Sequence, residues 1–321
     1  MSLIYPDQDS ERDRWILSRR PARNPLDPQR PYAYFTEQER SAEGGIVSVA
    51  TIFLTNRECP WRCLMCDLWK NTLTEPVAAG SIPAQIDFAL ERLEAADHIK
   101  LYNSGSFFDP HAIPPGDYES IAARLRSFQR VIVESHPALI GESVLRFRDL
   151  LPGQLEVAMG LETVQEDVLR KLNKRMTLAL FASAAETLRK ASVGVRAFIL
   201  VKPPFTEEQE ALYWAQRSIE FAFDCDAGVA TLIPVRANNG ALESLEDAGQ
   251  FSPPRIGTLE AALEFGIAAK RGRVFADLWD LRQSPGCCEC HPARVNRLHQ
   301  MNLEQRILEP AECALCRNAI D

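Results

Sequence analysis

The chain has 321 residues, 46% of them hydrophobic and 25% charged, with a formal net charge of −8. That is enough apolar residue for one large domain or two small ones, and it excludes a disordered or collagen-like chain. The acidic balance excludes bulk polyanion binding, and no stretch approaches the roughly 20 apolar residues of a membrane span.

Residues 1–44 read as an Arg- and Pro-rich arm. It is expected to be irregular to about residue 40, because Pro21, Pro25, Pro28 and Pro31 break any helix begun near Trp15. Six arginines between Glu11 and Arg30 oppose three acids, which suits a solvated tail or a basic segment that meets substrate. No apolar run follows a basic start, so a secretory leader is not expected and the protein is read as cytoplasmic. From Gly45 an alternation begins. Apolar, β-branched runs predict buried strands at Ile46–Leu54, His98–Tyr102, Arg130–Val133, Leu155–Leu161, Val193–Val201 and Val229–Val235.

Helical stripes lie between them. Ile86, Leu90 and Leu93 form one, and Ile121, Leu125 and Phe128 form another behind Asp117 as N-cap. Leu178, Phe181, Ala185 and Leu188 form a third. Thr206 with Gln209 predicts a capping box for the helix of Leu212, Ala215 and Ile219. Six such units predict an α/β fold, a partial (β/α)6 TIM-like barrel over residues 45–280, with Val274–Leu278 as one further strand. No GxGxxG, phosphate-loop, HExxH or GxSxG signature is present. Residues 281–321 read as a small Cys-rich appendage that needs a metal, since about 40 residues bury too little core alone.

Nine cysteines, an odd number, argue against a disulfide framework, and eight of them fall in two clusters. Cys59, Cys63 and Cys66 stand in a CxxxCxxC loop after the first predicted parallel strand. Three thiolates on one loop bind three corners of an iron–sulfur cube and leave the fourth iron open. Structural zinc wants four closed ligands, and no fourth lies nearby in sequence. An open iron serves reductive cleavage of S-adenosylmethionine (SAM), in which the amino-acid end chelates the iron and a 5′-deoxyadenosyl radical results. In the tail, Cys287 and Cys290 are spaced CxxC, as are Cys313 and Cys316, a four-thiolate set for zinc or a second 4Fe–4S cluster. Cys288 is then spare, and His291 is the substitute ligand. Cys225 reads as an ordinary buried thiol.

In this spacing and strand context the chain resembles the radical SAM superfamily, with Met65 where an aromatic residue often precedes the last cysteine. Within it, Asn103-Ser104-Gly105-Ser106-Phe107-Phe108 and Gly160-Leu161-Glu162-Thr163 resemble the branch with the archaeosine-synthase radical SAM subunit and the elongator catalytic subunit. The resemblance implies a 4Fe–4S cluster, SAM and an external electron donor of flavodoxin or ferredoxin type. It implies that Ser104, Gly105, Ser106, Glu134, Glu162 and Pro234 hold SAM at the C-terminal ends of strands, where barrels place chemistry.

Lys202 and Asp277 are the candidate catalytic groups, with Asp277 on the substrate side, and Arg196 is a candidate carboxylate partner. The branch implies a tRNA nucleobase or a 7-deazaguanine-type substrate, for which Arg19, Arg20 and Arg297 are candidate phosphate contacts. Two other readings stay open. One is a radical SAM enzyme acting on a small molecule or peptide, and the other is a non-catalytic, metal-stapled interaction protein.

Overall fold

The computed structural model describes residues 4–279, 281 and 289–313. In chain order the strands are β1 (Ala33–Arg40), β2 (Ile46–Phe53), β3 (His98–Tyr102), β4 (Arg130–Glu134), β5 (Gln154–Glu162), β6 (Gly194–Val201), β7 (Val229–Pro234) and β8 (Arg273–Ala276). The helices are α1 (Asp9–Leu17), α2 (Ser81–Leu90), α3 (Tyr118–Arg124), α4 (Glu142–Leu150), α5 (Glu166–Lys171), α6 (Leu178–Lys190), α7 (Glu208–Asp224), α8 (Ala241–Asp247), α9 (Ile256–Ala269) and α10 (His291–Glu304). One sheet runs in the order β1 to β8, with β2 to β8 parallel and β1 antiparallel to β2. All six expected strands form, and the further one forms as β8.

The period-two alternation sorts these strands into two faces. Ile52, Leu101, Val133, Val157, Ile199, Leu232 and Val274 point outward and are buried under the helices. The inward set differs. Thr51, Lys100, Ile132 and Glu156 share one register row, and Arg196 pairs Val229, which pairs Arg273. At the N-terminal end of the parallel strands these groups close a floor of buried charges. Arg196 donates to Glu156 (2.7 Å) and to both carboxylate oxygens of Glu39 (2.6 and 3.1 Å). Lys100 lies 2.7 Å from Glu39 and 2.9 Å from Glu37.

Three expectations change. The first 40 residues are not irregular throughout, because α1 and β1 are formed there. Charges on the inward face of β1, at Glu37 and Glu39, hide its strand pattern from a hydrophobic reading. The Thr206 capping box does not form; the hydroxyl bonds Gln165 Oε1 at 3.1 Å, and Glu207 is the N-cap without a side-chain cap. Asp117 is the α3 N-cap in position only, since its carboxylate accepts the Gly80 N–H instead.

The described part of the tail packs on the barrel. Helix α10 lies against both sheet edges, β1 and β8. Its Asn302 and Gln305 amides bond the open backbone of β8: Asn302 takes the Ala276 N–H and donates to its carbonyl, and Gln305 does the same at Val274, all at 2.8 Å. Two side chains thus stand in for a ninth strand.

Candidate active site at the cysteine loop

The loop from Asn56 to Asp67 leaves β2 at the C-terminal rim. Pro60 interrupts it and it forms neither helix nor strand, so its shape comes from outside contacts. Asn239, after β7, donates its amide to the carbonyls of Leu64 (2.7 Å) and Cys66 (3.2 Å). Asn173, after α5, donates to Arg62 O (2.7 Å), and the Leu64 N–H reaches Leu172 O (2.9 Å). Trp61 lies flat on His136, ring centroids 3.8 Å apart and 10° from parallel. His136 accepts the Ala138 N–H at Nδ1 and bonds Lys174 O through Nε2, which sets its neutral Nε2–H tautomer. Burial, helped by the Lys174 charge, lowers its pKa to about 3.

Burial raises all three loop thiols, Cys63 to about 12. At Cys66 the proximity of Cys63 and Cys59 adds to burial, so three half-buried thiols that resist ionisation share one loop. A bound cation would reverse that shift and favour the thiolates. Among the described residues no three His, Cys, Asp or Glu side chains converge on a single-ion site. A cube spreads its thiolates over separate irons, so it does not need that convergence.

The neighbouring strand ends close around the loop. The turn after β3 packs against it so tightly that a side chain on Gly105 would meet the Cys59 Cβ at 3.2 Å. Glu134, at the end of β4, accepts the N–H groups of Asn103 (2.6 Å) and Gly105 (3.2 Å). Burial raises its pKa despite those bonds. Ser104 Oγ bonds the Tyr32 hydroxyl (2.8 Å), and Ser106 Oγ accepts the His136 N–H (2.8 Å). Asn103 is fully buried, yet neither atom of its amide has a partner, and Asn56 Oδ1 is unpartnered too. Unpaired buried polar atoms are rare in folded chains. Beside three thiols they fit a site built for a polar, iron-bound ligand.

Glu162 ends β5 with φ 65° and pairs with Lys174. Burial opposes the Lys174 charge, but Glu162 and Cys63 outweigh it and raise its pKa. Gly160 leaves room for this pair, since a Cβ there would displace the Lys174 amine and the Glu162 carboxylate. Ser104 and Lys202 also hold positive φ (55° and 54°), so three non-glycine strand ends on one rim are strained.

The rim does not gather every expected residue. The Lys202 amine is taken by Ser252 (2.6 Å) and Glu208 (3.1 Å), between α7 and the segment before α9. Pro234 is buried at the end of β7. Asp277 follows β8, accepts the Trp279 N–H (2.9 Å), and has its pKa raised by burial. Arg196 does meet carboxylates, but they are those of Glu39 and Glu156 in the floor. Cys225 is half-buried at the end of α7. In the tail, Cys290 is buried at the N-cap of α10 and Cys313 is half-buried. Cys287, Cys288 and Cys316 lie outside the described residues.

Two of the arginines expected to meet phosphate are spent inside the protein. Arg20 pairs with Glu58 (2.7 Å), and Arg297 bonds Glu264 (2.6 Å) and the Glu309 carbonyl (2.8 Å). Arg19 lies over the Trp15 ring, 3.7 Å from its centroid. Sequence reasoning missed Glu58, His136, Asn173, Lys174 and Asn239, which sit far in sequence from the cysteines except Glu58, whose place beside Cys59 was the one available signal.

Comparison with known proteins agrees with this geometry. The family model for the radical SAM superfamily matches residues 53–213. Archaeosine synthase subunit beta of Methanosarcina acetivorans is 30% identical over 235 residues, 68% of this chain and 67% of that protein. An uncharacterised protein of Methanocaldococcus jannaschii is 25% identical over 315 residues, 91% of this chain and 86% of that one. Among solved structures, the archaeal Methanocaldococcus infernus Elp3 with an N-terminal deletion superposes with a TM-score of 0.49 at 12% identity, covering 74% of this chain and 60% of that one. A cysteine loop of this spacing at the rim of a parallel barrel, together with the family match, identifies the chain as a member of the radical SAM superfamily.

Proposed function

We propose that the chain is a radical SAM enzyme in which Cys59, Cys63 and Cys66 hold a 4Fe–4S cluster. The observation that carries this is the unpartnered Asn103 amide in the turn packed against Cys59, on the loop of three half-buried thiols. The cluster, when bound and reduced, supplies the electron that cleaves SAM to a 5′-deoxyadenosyl radical. Asn103 and the Ser104–Phe108 turn, held by Glu134, line the place for the amino-acid end. The Glu162–Lys174 pair offers either sign of charge to the ribose or carboxylate. Asp277 faces substrate, and its raised pKa suits proton handling. Lys202, locked on Glu208, is a positioning group in this reading.

The working substrate is a 7-deazaguanine-type base, in tRNA or free, supported by the similarity to archaeosine synthase subunit beta. Similarity to one subunit of archaeosine synthase supports a second chain in the complex, and an external flavodoxin or ferredoxin is the electron donor. The commitment of Arg20 and Arg297 to internal partners favours the second reading, a small-molecule substrate. In the tail, Cys287, Cys290, Cys313 and Cys316 hold zinc or a second cluster.

Anaerobic reconstitution followed by dithionite and SAM tests the core of the proposal. Release of 5′-deoxyadenosine by the parent, and its loss on changing any of the three loop cysteines to Ala, is the expected result; release persisting in all three variants overturns it. Roughly eight irons per chain would mean two clusters, and roughly four with one zinc would mean a zinc tail. Binding to tRNA that weakens steeply with salt supports the nucleic-acid substrate, and salt-insensitive binding removes it.

A further inference from the structure

The arm before β1 crosses the rim and is fastened to the cysteine loop. The Asn24 N–H donates to Lys70 O (2.9 Å), and Arg23 donates to Trp69 O (2.7 Å) and Thr72 Oγ1 (2.6 Å). The Arg20 guanidinium lies over the Trp69 ring, 4.5 Å from its centroid. Gly240 lets the arm pass, because any side chain there would collide with the Arg19 carbonyl. All of this converges on Glu58, the residue before Cys59. Its side chain is 9% exposed and meets Arg20 (2.7 Å), Arg62 (3.1 Å) and Arg23. The Arg20 side chain is itself only 8% exposed.

Three guanidiniums on one carboxylate leave two positive charges unmatched. Arg62 also donates to the Cys59 carbonyl (2.8 Å), so one of the three cations touches the cysteine loop itself. Lys174, a further cation near the cysteines, is paired with Glu162. Arg23 and Arg62 are about a quarter exposed (28% and 26%), and charges in such a partly buried site are screened less than in open water. A cluster on three thiolates becomes more negative on reduction, and nearby charge is one of the factors that set its potential.

We propose that Arg20, Arg23 and Arg62, gathered on Glu58, are positioning residues of the cluster site whose surplus positive charge stabilises the reduced cluster. The proposal rests on the reading of Cys59, Cys63 and Cys66 as cluster ligands. Its consequence is that the arm belongs to the redox centre and is not a free tail.

Charge and mere rigidity give opposite expectations, which makes the test sharp. Potentials are measured by reductive titration with dithionite, followed by electron paramagnetic resonance, in the reconstituted full chain. Arg20→Gln with Arg23→Gln lowers the midpoint potential, Glu58→Gln raises it, and Arg20→Lys with Arg23→Lys restores the parent value. In the iron-free protein the Arg20→Gln, Arg23→Gln variant speeds hydrogen exchange at the Asn24 amide, which shows the strap loosening independently of any cluster. Potentials that move the same way in the Gln variants, or do not move, overturn the proposal while leaving the cysteine reading intact. A parent protein that takes up no iron overturns the cysteine reading, and this proposal with it.

Discussion

The two ends of the barrel lumen are built from the same strands and treat charge in opposite ways. At the floor, burial would raise Glu39 and Glu156, but Arg196, with Lys100 at Glu39 and Arg273 at Glu156, outweighs it and holds both carboxyls below the usual range. At the rim, burial wins. Glu134 and Asp277 are raised, an Asn103 amide has no partner, and Ser104, Glu162 and Lys202 are bent into positive φ. One end spends its polar groups on itself. The other keeps them available, which is how a fold separates stability from chemistry.

The largest break in that contrast comes from Arg196→Met. It removes the largest counter-charge of Glu39 and Glu156, leaving Lys100, Arg130 and Arg273, and is expected to lower unfolding free energy by about 3 kcal/mol, measured by denaturant titration. SAM cleavage per folded molecule stays unchanged. The floor also sets the acid limit. Both carboxyls have depressed folded values, so their contribution is complete above the ordinary carboxylate pKa of about 4.3 and is lost as pH falls through the folded values. Thermal unfolding followed from pH 7 downward should show that loss, and the Arg196 variant should show less of it.

At the seam between the edges, Asn302→Ala with Gln305→Ala removes the four hydrogen bonds to β8 at a partly solvated site. A loss of about 2 kcal/mol is expected, at the low end of ~0.5–1.5 kcal/mol per bond. Exchange at the Val274 and Ala276 amides reports it, because their protection should fall before that of β5. At the rim the signs reverse. Asn103→Ala should leave stability unchanged or improve it, since a buried unpaired amide is removed. SAM affinity of the reconstituted protein should fall tenfold or more, a loss of about 1.4 kcal/mol or greater. The smallest effect is expected for Asp277→Asn. A raised folded pKa destabilises the charged form, so the variant should melt slightly higher at pH 7 and match the parent below the ordinary aspartate pKa of about 3.9.

The walls of the barrel were legible because β-branched runs and three-to-four spacing report burial, and burial is what Ile52, Leu101 or Val157 experience. The cysteine loop was legible because its ligands are neighbours in sequence. Strand β1 was not, since Glu37 and Glu39 face inward to meet Lys100 and Arg196, and their partners lie across the lumen. Asn173, Lys174 and Asn239 were missed for the same reason. An Asn a few residues beyond a strand carries no local sign that its amide will hold the carbonyl of Cys66. Arg20 misled in the other direction, because a basic run looks solvated until Glu58 and Trp69 are placed against it.

The amide cover on β8 has a consequence for how the protein is made. Strand β1 leaves the ribosome early, whereas α10, which touches both β1 and β8, leaves late. Until Asn302 and Gln305 arrive, β8 presents open backbone at Val274 and Ala276, a template for pairing with another chain. Nascent chains stalled before α10 should therefore be sticky in a way that the finished barrel is not, and self-association should be governed by these last contacts more than by the hydrophobic wall.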